Sequence, residues 1–328
     1  MGMYGTKNPA VKVTPVAAKE LDLTGKTMTV VGGTSGVGRA VALFAAAKGA
    51  KVTVVGRSFK VRSKARVVNG TTVPSSSSLE LTRPDARLLR QDAGVANVTF
   101  VQADFSSMAV ANSVGSTLPP ADVTVLSHGI IADKTRQVTA EGLEADMAIS
   151  ALSRLVLLRQ LVPRLATGSR VFVWGMPGNG MKFKFDDLNA EKGYEGAFGF
   201  VHANTVGANE AIVLELAQRE KASPRGVSFF GCNPGLIATG IRDVMHGGRS
   251  SMMGSCLEGM IGMFTPSVDT YASTMVPLLF APGLEAHNGA MFGQDGNAIL
   301  INPEFKAPAR VTEWYTALEA LLKRTAGL

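Results

Sequence analysis

The chain has 328 residues, of which 46% are hydrophobic and 18% charged, with a formal net charge of +7. This composition suits a soluble globular protein with a substantial core, and no apolar run reaches the roughly 18 residues of a membrane-spanning helix. The positive excess is local: between Arg57 and Arg90 eight basic residues meet only Glu80 and Asp85, with no interleaved aromatic platform. That pattern argues against a nucleic-acid partner and fits a local phosphate site or a solvated loop. The start mixes Lys, Pro and Gly, unlike a secretory signal. Cys232 and Cys256 make neither a disulfide framework nor a metal site, which points to a reducing, cytoplasmic compartment. His128, His202, His246 and His287 lack metal-ligand spacing.

Residues 1–25 read as an N-terminal extension, and 26–328 as one domain. From there short β-branched runs alternate with longer helical patterns. Strands are expected at Thr27–Gly32, Lys51–Gly56, Val98–Ala103, Asp122–Ser127, Arg170–Trp174, Gly226–Cys232 and Ala290–Gly293. Helical patterns cover Gly38–Lys48, Gly142–Arg164 and Ala203–Arg219. Near-continuous apolar strands alternating with helices predict an α/β fold: a single doubly wound Rossmann domain, its mostly parallel sheet covered on both faces. The Ser-rich stretch 69–78 is expected to be a loop.

After the first strand the chain reads Gly32-Gly33-Thr34-Ser35-Gly36-Val37-Gly38-Arg39 and opens a helix. Glycine removes the β-carbon where backbone must approach a pyrophosphate, and the helix start offers unpaired N–H groups to it. A Gly-rich turn alone is weak evidence; one set between a strand and a helix is the context the motif requires. The second strand ends Gly56-Arg57, where an NAD site usually carries an acid for the ribose hydroxyls. A guanidinium suits a 2′-phosphate instead, and Arg39 can join Arg57 there, so NADP(H) is the expected cofactor. The alternative is that both arginines are solvated surface charges. Asp104, with Phe105 beside it, is expected at the adenine edge, and Gly129 after the fourth strand.

With these residues on the page, the chain resembles the short-chain dehydrogenase/reductase family from about Lys26 to Gly296, nearest its retinol-dehydrogenase-like members. Phe185–Tyr194 is similar to their loop before the catalytic helix, and Ala208–Ala217 to that helix. Asn233-Pro234-Gly235-Leu236-Ile237-Ala238-Thr239 is similar to a turn that, by the resemblance, holds the nicotinamide carboxamide with its backbone and the Thr239 hydroxyl. The resemblance implies strand order 3-2-1-4-5-6-7 in a seven-stranded sheet, a substrate lid at about 236–270, and a homodimer or homotetramer.

The same comparison marks what is missing. The family uses a Tyr as general acid, a Lys four residues on, a Ser that polarises the carbonyl, and an Asn. Anchored on Ala208-Asn209, the Tyr position falls on His202 and the Lys position on Val206; the Asn position is Ser150. Val171–Gly178, where the Ser belongs, has no hydroxyl. His202 therefore stands either as a replacement proton donor or as a packed histidine at a helix start. His128 lies beside the expected nicotinamide edge as a second candidate, or fills the turn sterically. Tyr194 offers a phenol. Asp146, Asp186 and Asp187 read as helix-face or turn carboxylates, and Asn204 and Asn209 as residues that cap or pack around the helix. Met245, Met252, Met253, Met260 and Met263 in the lid suit a bulky hydrophobic small molecule, or ordinary packing or an oligomer contact.

Three functions remain open at this level. One is an NADPH-dependent reductase of a carbonyl or iminium. Another is a redox-silent isomerase, dehydratase or cyclase of natural-product metabolism with NADP(H) structural. The last is a non-catalytic NADP(H)-sensing binding module.

Overall fold

A computed structural model of the chain describes residues 5–57, 97–196, 199–221, 223–237 and 265–328, with the backbone of 67–68 and 71–72. The elements in order are β1 (Thr27–Val31), α1 (Gly36–Ala47), β2 (Lys51–Gly56), β3 (Val98–Gln102), α2 (Met108–Thr117) and β4 (Val123–Leu126). A long broken helix follows: α3 (Ala145–Met147), a π-helical turn (Ala148–Leu152) and α4 (Ser153–Leu161). Then come β5 (Arg170–Trp174), α5 (Phe200–Glu220), β6 (Ser228–Cys232), α6 (Val268–Leu279), β7 (Met291–Phe292), β8 (Ala298–Ile299) and α7 (Pro308–Ala326). Val67–Val68 and Thr71–Thr72 pair as a separate antiparallel ladder.

The sheet runs β8-β7-β6-β5-β4-β1-β2-β3. All neighbours are parallel except β7 and β8, which are antiparallel. This is the expected order with one strand added: the sheet has eight strands rather than seven. The eighth escaped the sequence reading because two residues carry no periodicity.

Alternation along each strand builds two cores. Met28, Val30, Val52, Val54, Val125, Phe172 and Phe230 enter one face with α1 and α6. Val31, Val55, Leu126, Val171, Val173 and Phe229 enter the other with α2, α4, α5 and α7. Each such side chain contributes about 1.5–3 kcal/mol on burial. In α1 the inward positions are small (Ala42, Ala45 and Ala46, all buried), so the helix lies close on the sheet.

Two features differ from expectation. The helix expected over Gly142–Arg164 is interrupted by the π-helical turn. There Asn209 Nδ2 donates to the Ser150 carbonyl at 2.8 Å, drawing it toward α5, the kind of insertion that opens a helical ladder. Residues read as an extension are packed on the domain: Leu21 and Leu23 are buried in the core beneath α1 and α6. Lys7 bridges Ile299, Asn8 N–H donates to Ala298 O at 2.8 Å, and Leu300 N–H to Thr6 O at 2.7 Å.

Candidate active site

Parallel strands end at one edge of the sheet, and in this topology ligands bind outside their carboxyl ends. Gly32, with φ of 89°, follows β1 there. A β-carbon on Gly32 would strike the backbone of His128, and one on Gly38 the Ser127 hydroxyl and the Gly32 carbonyl. The turn is therefore drawn tight against the end of β4. Gly36 and Val37 start α1, whose N-cap Ser35 makes no side-chain capping bond, leaving first-turn amides aimed outward. These features fit a dinucleotide pyrophosphate.

At the end of β2, a β-carbon on Gly56 would lie 2.7 Å from Thr34 Oγ1 and Cγ2. No acidic side chain fits there while Thr34 keeps its place. Arg57 is exposed, its carbonyl held by Gln102 Nε2 at 3.1 Å. Arg39 is half-buried, and burial lowers its pKa against the attraction of Asp269. Exposed Asp104 accepts from Ser106 N–H at 3.0 Å, while Phe105 is buried with its ring 4.4 Å from that of His128. Gly129 follows His128, beside Ser150. Asn233 Oδ1 accepts from Gly235 N–H at 2.9 Å, shaping the Pro234-Gly235 turn, and Gln294 Nε2 donates to Leu236 O at 2.8 Å. Thr239, most of the 236–270 lid with its methionines, and the basic stretch beyond Arg57 lie outside the described residues.

The acid–base groups meet between the long broken helix and α5. His202, in the first turn of α5, places Nδ1 2.7 Å from Asp146 Oδ2. Asp146 is fully buried, and its other oxygen accepts the Ser150 hydroxyl at 2.7 Å. Ser150 Oγ in turn accepts from Ile130 N–H at 2.9 Å. Its one hydrogen is committed to Asp146, so Ser150 orients that carboxylate. Burial disfavours charge on His202, but the charge and hydrogen bond of Asp146, with the charge of Glu144, outweigh it and raise the imidazole above its ordinary pKa. The side chain of His202 is 14% exposed, and Nε2 makes no hydrogen bond among the described residues. The result is a proton donor with one open face.

His128 behaves oppositely. The single hydroxyl hydrogen of Ser153 goes to Ile149 O at 2.8 Å, so His128 Nε2, 3.0 Å from Ser153 Oγ, must be the donor of that pair. Burial and the Arg154 charge hold its pKa well below the ordinary value. A neutral ring with its one N–H already engaged has no proton to give. Tyr194 donates to Asp133 O at 3.1 Å; burial and the carboxylates of Glu144 and Asp146 hold its phenol at about 12.

Glu144, which accepts from Met147 N–H at 2.8 Å, is pushed by burial up to about 7. Neither Glu144 nor the role of Asp146 emerged from the sequence. A signal was present, since Asp146, Ser150 and Arg154 recur every four residues along an otherwise apolar helix. Asp186 and Asp187 lie in a short helical turn; Asp187 accepts from Glu191 and Lys192 N–H, as a turn carboxylate does. No group of His, Cys, Asp or Glu among the described residues has the makings of a metal site, and no helix among them is long and apolar enough to cross a membrane.

An uncharacterized oxidoreductase of Saccharomyces cerevisiae is 31% identical over 312 residues, spanning 92% of this chain and 89% of that protein. Retinol dehydrogenase 12 of Homo sapiens is 26% identical over 84% of this chain and 80% of its own. Among solved structures, L-sorbose reductase from Gluconobacter frateurii, complexed with NADPH and L-sorbose, superposes with a TM-score of 0.56 at 20% identity, covering 85% of this chain and 98% of that one. The chain belongs to the short-chain dehydrogenase/reductase family. No protein-family model matches it.

Within a short-chain dehydrogenase/reductase the positions expected to bear Tyr and Lys are here His202 and Val206, and Val206 is buried and apolar. The segment expected to bear Ser passes Gly175, where a β-carbon would lie 2.6 Å from that of Asn209, and then Met176, with φ of 54°. Asn209 takes the room a side chain at 175 would need.

Proposed function

We propose that the protein is an NADPH-dependent reductase of a carbonyl or iminium group on a hydrophobic small molecule, with His202 as its proton donor. The observation that carries this reading is the 2.7 Å bond from His202 Nδ1 to the buried carboxylate of Asp146. Such a pair is built for proton transfer: Asp146 fixes the imidazole's orientation and favours its charged form, leaving Nε2 to donate. A packed histidine needs no buried carboxylate behind it, and a mere binding module has no use for one.

The cofactor would sit on the Gly32–Gly38 turn and the α1 amides, with Arg57 and Arg39 toward a 2′-phosphate and Pro234-Gly235-Leu236 beside the nicotinamide. When bound, it supplies a hydride. Everything else falls to the chain. A carbonyl oxygen that becomes a hydroxyl takes its proton from His202 Nε2; the imidazole turns neutral and is recharged from solvent through its exposed edge. Asp146 stays negative throughout, and the Ser150 hydroxyl keeps it aligned. An iminium already carries the charge and needs no donor, so it is less dependent on His202. The absence of an acid at Gly56 supports NADPH over NADH, as does the NADPH bound in the L-sorbose reductase structure.

The test is NADPH oxidation by the full chain over a panel of hydrophobic ketones, aldehydes and cyclic iminium ions, with NADPH binding measured by fluorescence. Turnover of a carbonyl substrate that His202→Gln lowers about 10²–10⁴-fold is expected. Tight NADPH binding with no oxidation across the panel overturns the reading.

A further inference from the structure

Arg154 lies eight residues after Asp146 and four after Ser150 on the broken helix, and it is 2% exposed. Its guanidinium reaches three elements. Nη2 donates to the His128 carbonyl beyond β4. Nη1 donates to Trp174 O at the end of β5 and to Asn209 Oδ1 on α5, both at 2.8 Å. Asn209 then donates to Ser150 O and Thr205 O, each at 2.8 Å. Two struts therefore join the broken helix to α5: Asp146 to His202 at one end, Arg154 to Asn209 two turns on.

All three acceptors of Arg154 are neutral, and its Nε is buried without a partner. Burial lowers the group to about 9, against the attraction of Asp146, so it is a cation at neutral pH. A buried cation without a bonded carboxylate costs several kcal/mol. A neutral side chain would fill this core at less cost. What the charge does is face Asp146 from behind while His202 faces it from the front.

We propose that Arg154 is a positioning residue of the acid–base pair: its fixed positive charge keeps Asp146 ionised and weakens the hold of Asp146 on the His202 proton. The role of that proton in reduction rests on the function proposed above; the electrostatic coupling does not. The charged and titratable groups around the pair are few. Asp146 and Glu144 face His202 from α3 and its N-cap. Tyr194 interacts with both carboxylates and with Asp133 from the flanking loops, and Arg136 offsets Glu144. Arg154 adds a positive charge on the far side of Asp146.

The experiment is an NMR titration of ¹³C-histidine in the full chain, with the His202 signal assigned by its loss in His202→Gln. In Arg154→Met, the His202 midpoint rises by about one pH unit, the effect of removing a unit charge some 10 Å away at an effective dielectric near 20. In Arg154→Lys, which keeps the charge but not the fork, the midpoint stays at the wild-type value. A folded Arg154→Met whose His202 midpoint is unmoved or lowered overturns the proposal. Should Arg154→Met fail to fold, Arg154→Lys decides: a wild-type midpoint supports the role, and a displacement of a full unit refutes it. Lack of NADPH turnover would defeat the reductase reading and leave this result standing; an unmoved midpoint with turnover intact would do the reverse.

Discussion

Gly175 and Asn209 share one space: a β-carbon on the first would stand 2.6 Å from the β-carbon of the second. The end of β5 is thereby closed to any side chain as long as Asn209 keeps its bonds to Arg154, Ser150 and Thr205. Gly175→Ser is expected to destabilise the fold by about 1–3 kcal/mol, the usual cost of overpacking. In the double variant with Asn209→Ala the two costs should be less than additive. Thermal melts of the four chains measure this, and full additivity would show that the two sites do not touch.

The Asp146–His202 pair gives a signed pH prediction. His202 is raised above its ordinary value of 6.5, so the charged pair is fully present below that value and is lost as pH rises through the raised one. A proton donor of this kind fades in the same window. Asp146→Asn should move the alkaline limb of the rate profile to lower pH. It should also remove the pairing's stabilisation below that limb, as pH-dependent urea melts would read. An unshifted limb means that another group supplies the proton.

Arg57 carries the expected preference for a 2′-phosphate. Arg57→Ala should weaken NADPH binding about 10–100-fold, the loss of one charge-assisted hydrogen bond, and leave NADH binding unchanged. Fluorescence titration with both cofactors separates this from general damage to the site. Equal losses for the two would place Arg57 away from the phosphate.

Glu210 makes a structural prediction remote from the proton donor. Its buried carboxyl accepts Asn302 N–H at 2.6 Å and Gly178 N–H at 3.0 Å, tying the segment after β5 to the chain beyond β8. Burial lifts it to about 7 against those two bonds. Because the folded state holds this proton more tightly than the unfolded chain, its contribution is full below the ordinary value of 4.5 and declines as pH rises through about 7. Glu210→Gln should flatten the fall in stability across that window, as denaturant melts at pH 5, 6, 7 and 8 would show. Glu210→Ala, which strands two buried N–H groups, should cost roughly 2–5 kcal/mol at every pH.

Strand alternation made the fold legible: β2 and β5 lie at the expected residues, and the sheet order follows the expected one through seven strands. Two-residue β8 left no pattern to read. The glycine turn was legible because a β-carbon is forbidden at Gly32 and Gly38, a constraint local in sequence. The partner of His202 was not, because Asp146 lies 56 residues away and a lone acid on a helix is ordinarily solvated. Only the packing of the two helices turns that acid inward. Nor does sequence reveal that Asn209 fills the place of a side chain on Gly175, since contact between a helix and a strand end is a tertiary fact.

The pairing of residues 6–8 with 298–300 bears on handling the protein. Those few residues close the outermost rim of the sheet, which would otherwise offer open amides and carbonyls to any neighbouring chain. A preparation shortened past Asn8 should self-associate through that bared rim, so purification handles belong at the other terminus, after α7.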